Sequence, residues 1–189
     1  APTSPVDAAA QAAAHSPAND LPEPTQPQKE AGNYAKGHVR VHGMDVSIEN
    51  PAGTQRKGTA PDGRAWSNTM QAHYGYIRGT TGNDGDQIDA FIRPGHDGQT
   101  EGPVFVIDQV DPATGKFDES KVMIGFESEA EARAAYLGSY DADWQGLGGM
   151  TQMTMPEFKA WTKRPRLSRR PLSPEVRAAQ GAAADEIGR

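Results

Sequence analysis

Residues 74–92 read Tyr-Gly-Tyr-Ile-Arg-Gly-Thr-Thr-Gly-Asn-Asp-Gly-Asp-Gln-Ile-Asp-Ala-Phe-Ile, and the rest of the chain is organised around them. A short aromatic strand enters a loop rich in Gly, Thr and Asn, which opens onto Asp84, Asp86 and Asp89. The chain then leaves on an apolar run, Ile88, Ala90, Phe91 and Ile92. Strand-like flanks place the carboxylates at the mouth of a strand, not on a free tip. Carboxylates this close repel one another, by about 1 kcal/mol per pair in water and about 4 kcal/mol at an effective dielectric of about 20. Such a cluster persists where water solvates it fully or where cations neutralise it. Its all-oxygen donor set suits the hard ions Mg²⁺, Mn²⁺ and Ca²⁺.

An acidic surface turn with no ion is the plain alternative, because Asp and Gly fill turns for reasons of their own. An EF-hand loop is excluded. Counted from Asp84, Ile88 stands at the fifth position, and the glycine that must follow it is missing. A calcium-binding nonapeptide array needs repeated Gly-rich units, and the sequence carries a single one.

The flanking residues decide between a bare turn and a metal loop. Asp84-Gly85-Asp86-Gln87-Ile88-Asp89 resembles the signature of soluble, family I inorganic pyrophosphatases, Asp-Gly-Asp-Pro-apolar-Asp. Tyr74-Gly75-Tyr76-Ile77 also resembles that family, as does the step from Tyr74 to Asp84. The likeness is greatest to pyrophosphatase-like domains of phage and mobile-element proteins, over a span from about Gly37 to Phe126. It implies a mainly β protein with flanking helices (α+β), built on a small closed OB-like β-barrel of about five strands. It also implies Mg²⁺-dependent hydrolysis of pyrophosphate, with Mn²⁺ as a substitute.

Composition bounds the reading. A chain of 189 residues with 35% hydrophobic residues holds one medium domain plus tails. With no cysteine, disulfides, thiolate zinc sites and cysteine nucleophiles are excluded. A net charge of −6 argues against a general nucleic-acid binder. No apolar run reaches the length of a membrane span, and no secretory signal is visible. The expected location is the cytoplasm, or a host's cytoplasm for a phage-encoded chain. The compatible assemblies are a homo-oligomer and a fusion or virion partner.

Residues 1–33 are rich in proline, with an Ala patch at 8–14, and read as a disordered arm or linker. The domain is expected over 34–165, followed by a basic and Ala-rich tail over 166–189. From Gly37 to Ile48, alternating Val39, Val41, Val46 and Ile48 predict two strands, ended by Glu49-Asn50-Pro51. Residues 52–63 read as a loop. Val104–Asp108 predicts a buried strand, and a turn at 111–116 leads to another at Val122–Phe126. Ser128 caps a helix over 127–140, and Thr154 caps a second over 154–163. A last helix is expected around 174–187. The basic run from Lys159 to Arg170 is most simply a solvated surface.

The resemblance also assigns roles. Asp84, Asp89, Asp111, Asp118 and Glu49 would be metal-facing, with Glu119 an alternative to Asp118. Asp86 would take the proton of the attacking water. Tyr74, Lys57 (or Arg56), Arg64 and Lys121 would hold phosphate. The family's late helix brings a Tyr-Lys pair to the substrate, whereas here Tyr140 is followed by Asp141. Tyr140 is therefore the candidate without its lysine. Two alternatives to a pyrophosphatase stay open: a non-catalytic structural or binding module, and a hydrolase of a nucleotide pyrophosphate.

Overall fold

The computed structural model describes residues 4–32 and 36–187, with side chains described through residue 180. Strands β1 (His38–Val41), β2 (Met44–Asn50), β5 (His73–Ile77), β6 (Ile88–Ile92), β7 (Val104–Val110), β8 (Phe117–Ile124) and β9 (Leu147–Met153) form one sheet. Their order is β1-β2-β5-β6-β8-β7-β9. Strands β3 (Gln55–Thr59) and β4 (Ala65–Thr69) pair separately as a ribbon. Neighbours in the sheet are antiparallel except β6 and β8, where β8 slots between β6 and β7 and runs parallel to β6.

The period of two along each strand splits the sheet into two faces. Ile88, Ala90 and Ile92 of β6 lie on one face with Val104, Val106, Val122 and Ile124. Helix α1 (Pro5–Ala14) covers this face through Ala10 and Ala13, and α4 (Met155–Thr162) through Phe158 and Trp161. Tyr74, Phe91, Phe105, Ile107 and Met123 lie on the other face, under Ala132 and Tyr136 of α3 (Glu129–Gly138). Each of these large apolar side chains contributes about 1.5–3 kcal/mol when fully buried. Asp89, Glu119 and Lys121 share the parity of this second face. The polar cluster is therefore the hydrophilic end of an aromatic core.

Gly75 allows this packing. A Cβ at that position would come within 1.7 Å of the Ser47 carbonyl oxygen, so only glycine lets β5 lie this close to β2.

Several expectations are corrected. The sheet has seven strands with a separate ribbon, not about five, and no pairing among the described residues closes it into a barrel. The expected loop at 52–63 contains β3, whose polar residues give no alternation to read. The N-terminal segment, expected to be disordered, is ordered over residues 4–32. Within it α1 packs through Val6, Ala10 and Ala13, a stripe made mostly of alanine, and α2 (Gln26–Ala31) follows. The expected tail includes α5 (Pro165–Ser168) and α6 (Pro174–Ile187), and Ser168, Ser173 and Val176 are buried. No described helix is long and apolar enough to cross a membrane.

Candidate active site

The centre of the site is Lys121, on β8 and 2% exposed. Its ammonium lies 2.6 Å from Asp89 Oδ2 and 2.6 Å from Glu119 Oε1, and donates to the Tyr74 hydroxyl at 3.0 Å. Tyr74 in turn donates to Asp89 Oδ2 at 2.9 Å. The register brings these groups together, with Asp89 opposite Lys121 across the parallel β6–β8 pair and Tyr76 across from Asp89. Burying an unpaired ammonium costs several kcal/mol, so this degree of pairing is what the position demands. Burial opposes the charge on Lys121. The phenol oxygens of Tyr74 and Tyr140 and the carboxylates of Asp89 and Glu119 outweigh it and hold the lysine well above its usual range.

Two β-bulges aim further acids. The β2–β5 register slips between Ile48 and Asn50, which leaves Glu49 as the extra residue that turns into the cleft. The β7–β8 register slips between Gln109 and Val110, where Asp118 is the extra residue. Glu119 therefore faces inward. Asp118 sits exposed at the rim, where its Oδ2 accepts from the Gln109 amide at 3.2 Å. Of the two alternatives for the family's second acid, Glu119 is the one that lines the cleft.

The aspartate loop closes the other side. Gly82 N–H donates to the Asp86 carbonyl at 2.7 Å, and Asp84 Oδ1 accepts from Asp86 N–H at 3.0 Å. Asp84, Asp86, Asp89, Glu49 and Glu119 all line one cleft of about 480 Å³. Its opposite wall includes Asn19, Glu23, Lys29 and Lys36 from the N-terminal segment.

Behind the cluster stands an aromatic stack that the sequence reading did not anticipate. Tyr136, Tyr140 and Trp144 stack with ring centroids 4.8 Å apart at each step. Both phenols donate to the buried Gln109 Oε1, at 2.6 and 3.0 Å, and Trp144 donates to the Tyr136 hydroxyl at 3.0 Å. Only Tyr136 lies on α3; Tyr140 and Trp144 follow its C-cap Ser139, so helical spacing in the sequence gave no signal of the stack.

The expected cations are partly redistributed. Lys57 points to solvent on β3. Its neighbour Arg56 takes the inward position, with its guanidinium 4.7 Å from the Tyr74 ring centroid and 5.3 Å from that of Trp66. Arg64 is exposed and pairs with Asp141 at 3.6 Å, so it is not part of the cluster. Asp111 is exposed too. Its side chain accepts from Ala113 N–H at 2.8 Å, shaping the β7–β8 turn and not the site.

Among the described residues, no three of His, Cys, Asp and Glu already converge to hold an ion. The charge balance nevertheless fits one. Burial pushes the Glu119 carboxyl up to about 7, against the pull of Lys121. Crowding by protein atoms, and then the charge on Asp89, raise that of Glu49. The Lys121 ammonium is shared between two carboxylates, so the site favours an added proton or cation, and its hard oxygen donors suit Mg²⁺ or Mn²⁺.

Residues 26–163 match the family model described as Inorganic Pyrophosphatase. No curated protein matches the chain significantly. Among solved structures, an inorganic phosphatase from Anaplasma phagocytophilum aligns at 18% identity over 51% of this chain, with a TM-score of 0.27. The chain spans 64% of the length of that protein. An inorganic pyrophosphatase from Ehrlichia chaffeensis aligns at 15% identity, over 62% of this chain and 90% of its own, with a TM-score of 0.31. Through the match of its residues 26–163, this chain belongs to the inorganic pyrophosphatase family.

Proposed function

We propose that the chain hydrolyses inorganic pyrophosphate to two phosphates with Mg²⁺, Mn²⁺ being able to substitute. A cytoplasmic location and kinship with phage-borne members of the family go with this reading. The observation that carries it is the carboxylate cleft of Asp84, Asp86, Asp89, Glu49 and Glu119 around buried Lys121.

Three tasks face any phosphoanhydride hydrolase: neutralising the substrate, activating water and stabilising the leaving phosphate. Asp84, Asp89, Glu49 and Glu119 would hold the divalent ions. When bound, those ions supply charge neutralisation and a more acidic attacking water. Asp86, exposed at the cleft edge, would accept the water's proton. Lys121 and Tyr74 donate hydrogen bonds from below, and Arg56 adds a cation stacked on Tyr74. The stack of Tyr136, Tyr140 and Trp144 fixes Gln109, whose amide holds Asp118 at the rim. No covalent intermediate is needed.

Hydrolysis of a nucleotide pyrophosphate is the second reading. Asp141, where the family has a lysine, pairs with Arg64 and leaves the leaving-group side less basic. The test is orthophosphate release from pyrophosphate with and without Mg²⁺, in the native chain and in Asp86→Asn. Release that requires Mg²⁺ and falls about 10²–10⁴-fold in the variant is the expected result for loss of a general base. A native chain that releases no phosphate with Mg²⁺ or Mn²⁺ rejects pyrophosphate as substrate. A panel of nucleoside di- and triphosphates then separates a nucleotide hydrolase from a non-catalytic module.

A further inference from the structure

Helix α2 is fixed against the aspartate loop at both ends. At its start, Gln26 Nε2 donates to the Gly85 carbonyl at 2.8 Å. At its end, Gly32 takes a left-handed conformation with φ of 68° against Arg78 and Gly79. A Cβ there would lie 3.3 Å from both the Arg78 Cβ and the Gly79 nitrogen, so the junction suits glycine alone. Between these anchors, Lys29 points into the cleft, its ammonium 3.2 Å from Asp86 Oδ1. The family match begins at Gln26, the first residue of this helix.

We propose that Lys29 is a substrate-positioning residue, holding a phosphoryl oxygen of pyrophosphate at the cleft rim. This rests on the pyrophosphatase reading above. The other cations near the cleft are committed. Lys121 is shared by Asp89, Glu119 and Tyr74. Lys36, its side chain 12% exposed, is held by Glu23 and the Asn19 carbonyl. Arg56 is stacked on Tyr74 and Trp66. Just past α3, Tyr140 is followed by Asp141 and not by a lysine. Among the described residues the Lys29 ammonium has a single partner, and Asp86 is more than half exposed, so their ion pair is weak and readily exchanged. A phosphoryl oxygen carries more charge and takes the ammonium from Asp86 when substrate arrives.

The test is calorimetric binding of methylenediphosphonate, a diphosphonate that resists hydrolysis, in the presence of Mg²⁺. It is applied to the native chain, Lys29→Gln, Lys29→Arg and the surface control Lys163→Gln, with pyrophosphate hydrolysis measured in parallel. Binding weakened about tenfold in Lys29→Gln, largely restored in Lys29→Arg and unchanged in Lys163→Gln supports the inference. Equal or tighter binding by Lys29→Gln, or an equal loss in Lys163→Gln, overturns it and leaves the pyrophosphatase reading standing. A native chain that binds the diphosphonate but does not hydrolyse pyrophosphate rejects the activity while still testing Lys29. A native chain that binds none with Mg²⁺ or Mn²⁺ overturns both.

Discussion

At the scale of single residues, the deficit of positive charge around Lys121 has a measurable consequence. Glu119, ordinarily ionising near 4.5, is pushed up to about 7 by burial in the folded chain. The folded state therefore holds a proton that the unfolded state has lost between those values, and stability falls as pH rises through this window. A gap of that size corresponds to about 3 kcal/mol. Without metal, the native chain should melt at lower temperature at pH 8 than at pH 5, and Glu119→Gln should flatten that slope. An unchanged slope in the variant would place its source elsewhere. Mg²⁺ should raise the melting temperature most at pH 8, where the carboxylates are ionised. The sequence motif pointed to Tyr74 and Asp89, which lie on strands, and to Asp84 and Asp86, which lie in the loop between β5 and β6. It left open whether Arg56 or Lys57, and whether Glu119 or Asp118, faces the cleft side. A one-residue shift exchanges the two faces of a strand, and both choices depend on local pairing that tertiary contacts set.

At the scale of elements, the strands and helices with strong patterns were legible. Expected strands at 104–108 and 122–126 correspond to β7 and β8, and expected helices at 127–140 and 154–163 to α3 and α4. Strand β9 was missed because Leu147-Gly148-Gly149-Met150-Thr151-Gln152-Met153 has neither alternation nor β-branched density. Helix α1 was missed for a different reason: its helical signal was an Ala patch with no evident apolar face, and its docking joins the small stripe of Val6, Ala10 and Ala13 to one carboxylate. Asp7 closes the capping box with Ser4. It also accepts from His73 Nε2 at 2.7 Å and from Gly95 N–H at 3.0 Å. His73 Nδ1 accepts from Ala52 N–H, so its proton lies on Nε2 and points at Asp7. Asp7→Ala removes a cap and a charged, largely buried hydrogen-bond acceptor, at a cost of about 3 kcal/mol. Hydrogen exchange should then show residues 5–14 losing protection while β6, β7 and β8 keep theirs. Equal loss across the sheet would mean that α1 is integral to the core and not docked on it.

At the scale of the molecule, the question is whether residues after the matched span are an appendage or part of the fold. Asp108, on β7 and 0% exposed, answers it. Its carboxylate accepts the backbone N–H groups of Leu172 at 3.0 Å and Ser173 at 2.7 Å, just before α6 begins. Beyond that anchor Val176 packs with Val110 and Phe117. On the other flank Ser168 donates to the Thr81 carbonyl at 2.7 Å, so the same segment braces the loop that leads to Asp84. The sequence hid this because a single Asp within an apolar strand looks like a strand end, and its donors lie more than sixty residues away. Asp108→Ala should leave those backbone donors without an acceptor, at a cost of about 2–3 kcal/mol. In a chain of this size that lowers the melting temperature by roughly 8 °C. Asp108→Asn keeps one acceptor oxygen and should lose about half as much. Calorimetric melts of the two variants, with limited trypsin digestion after Arg166 and Arg169, check both points. Cleavage there should be resisted by the native chain and rapid in Asp108→Ala. An alanine variant that melts like the native chain would make residues 166–187 an appendage after all.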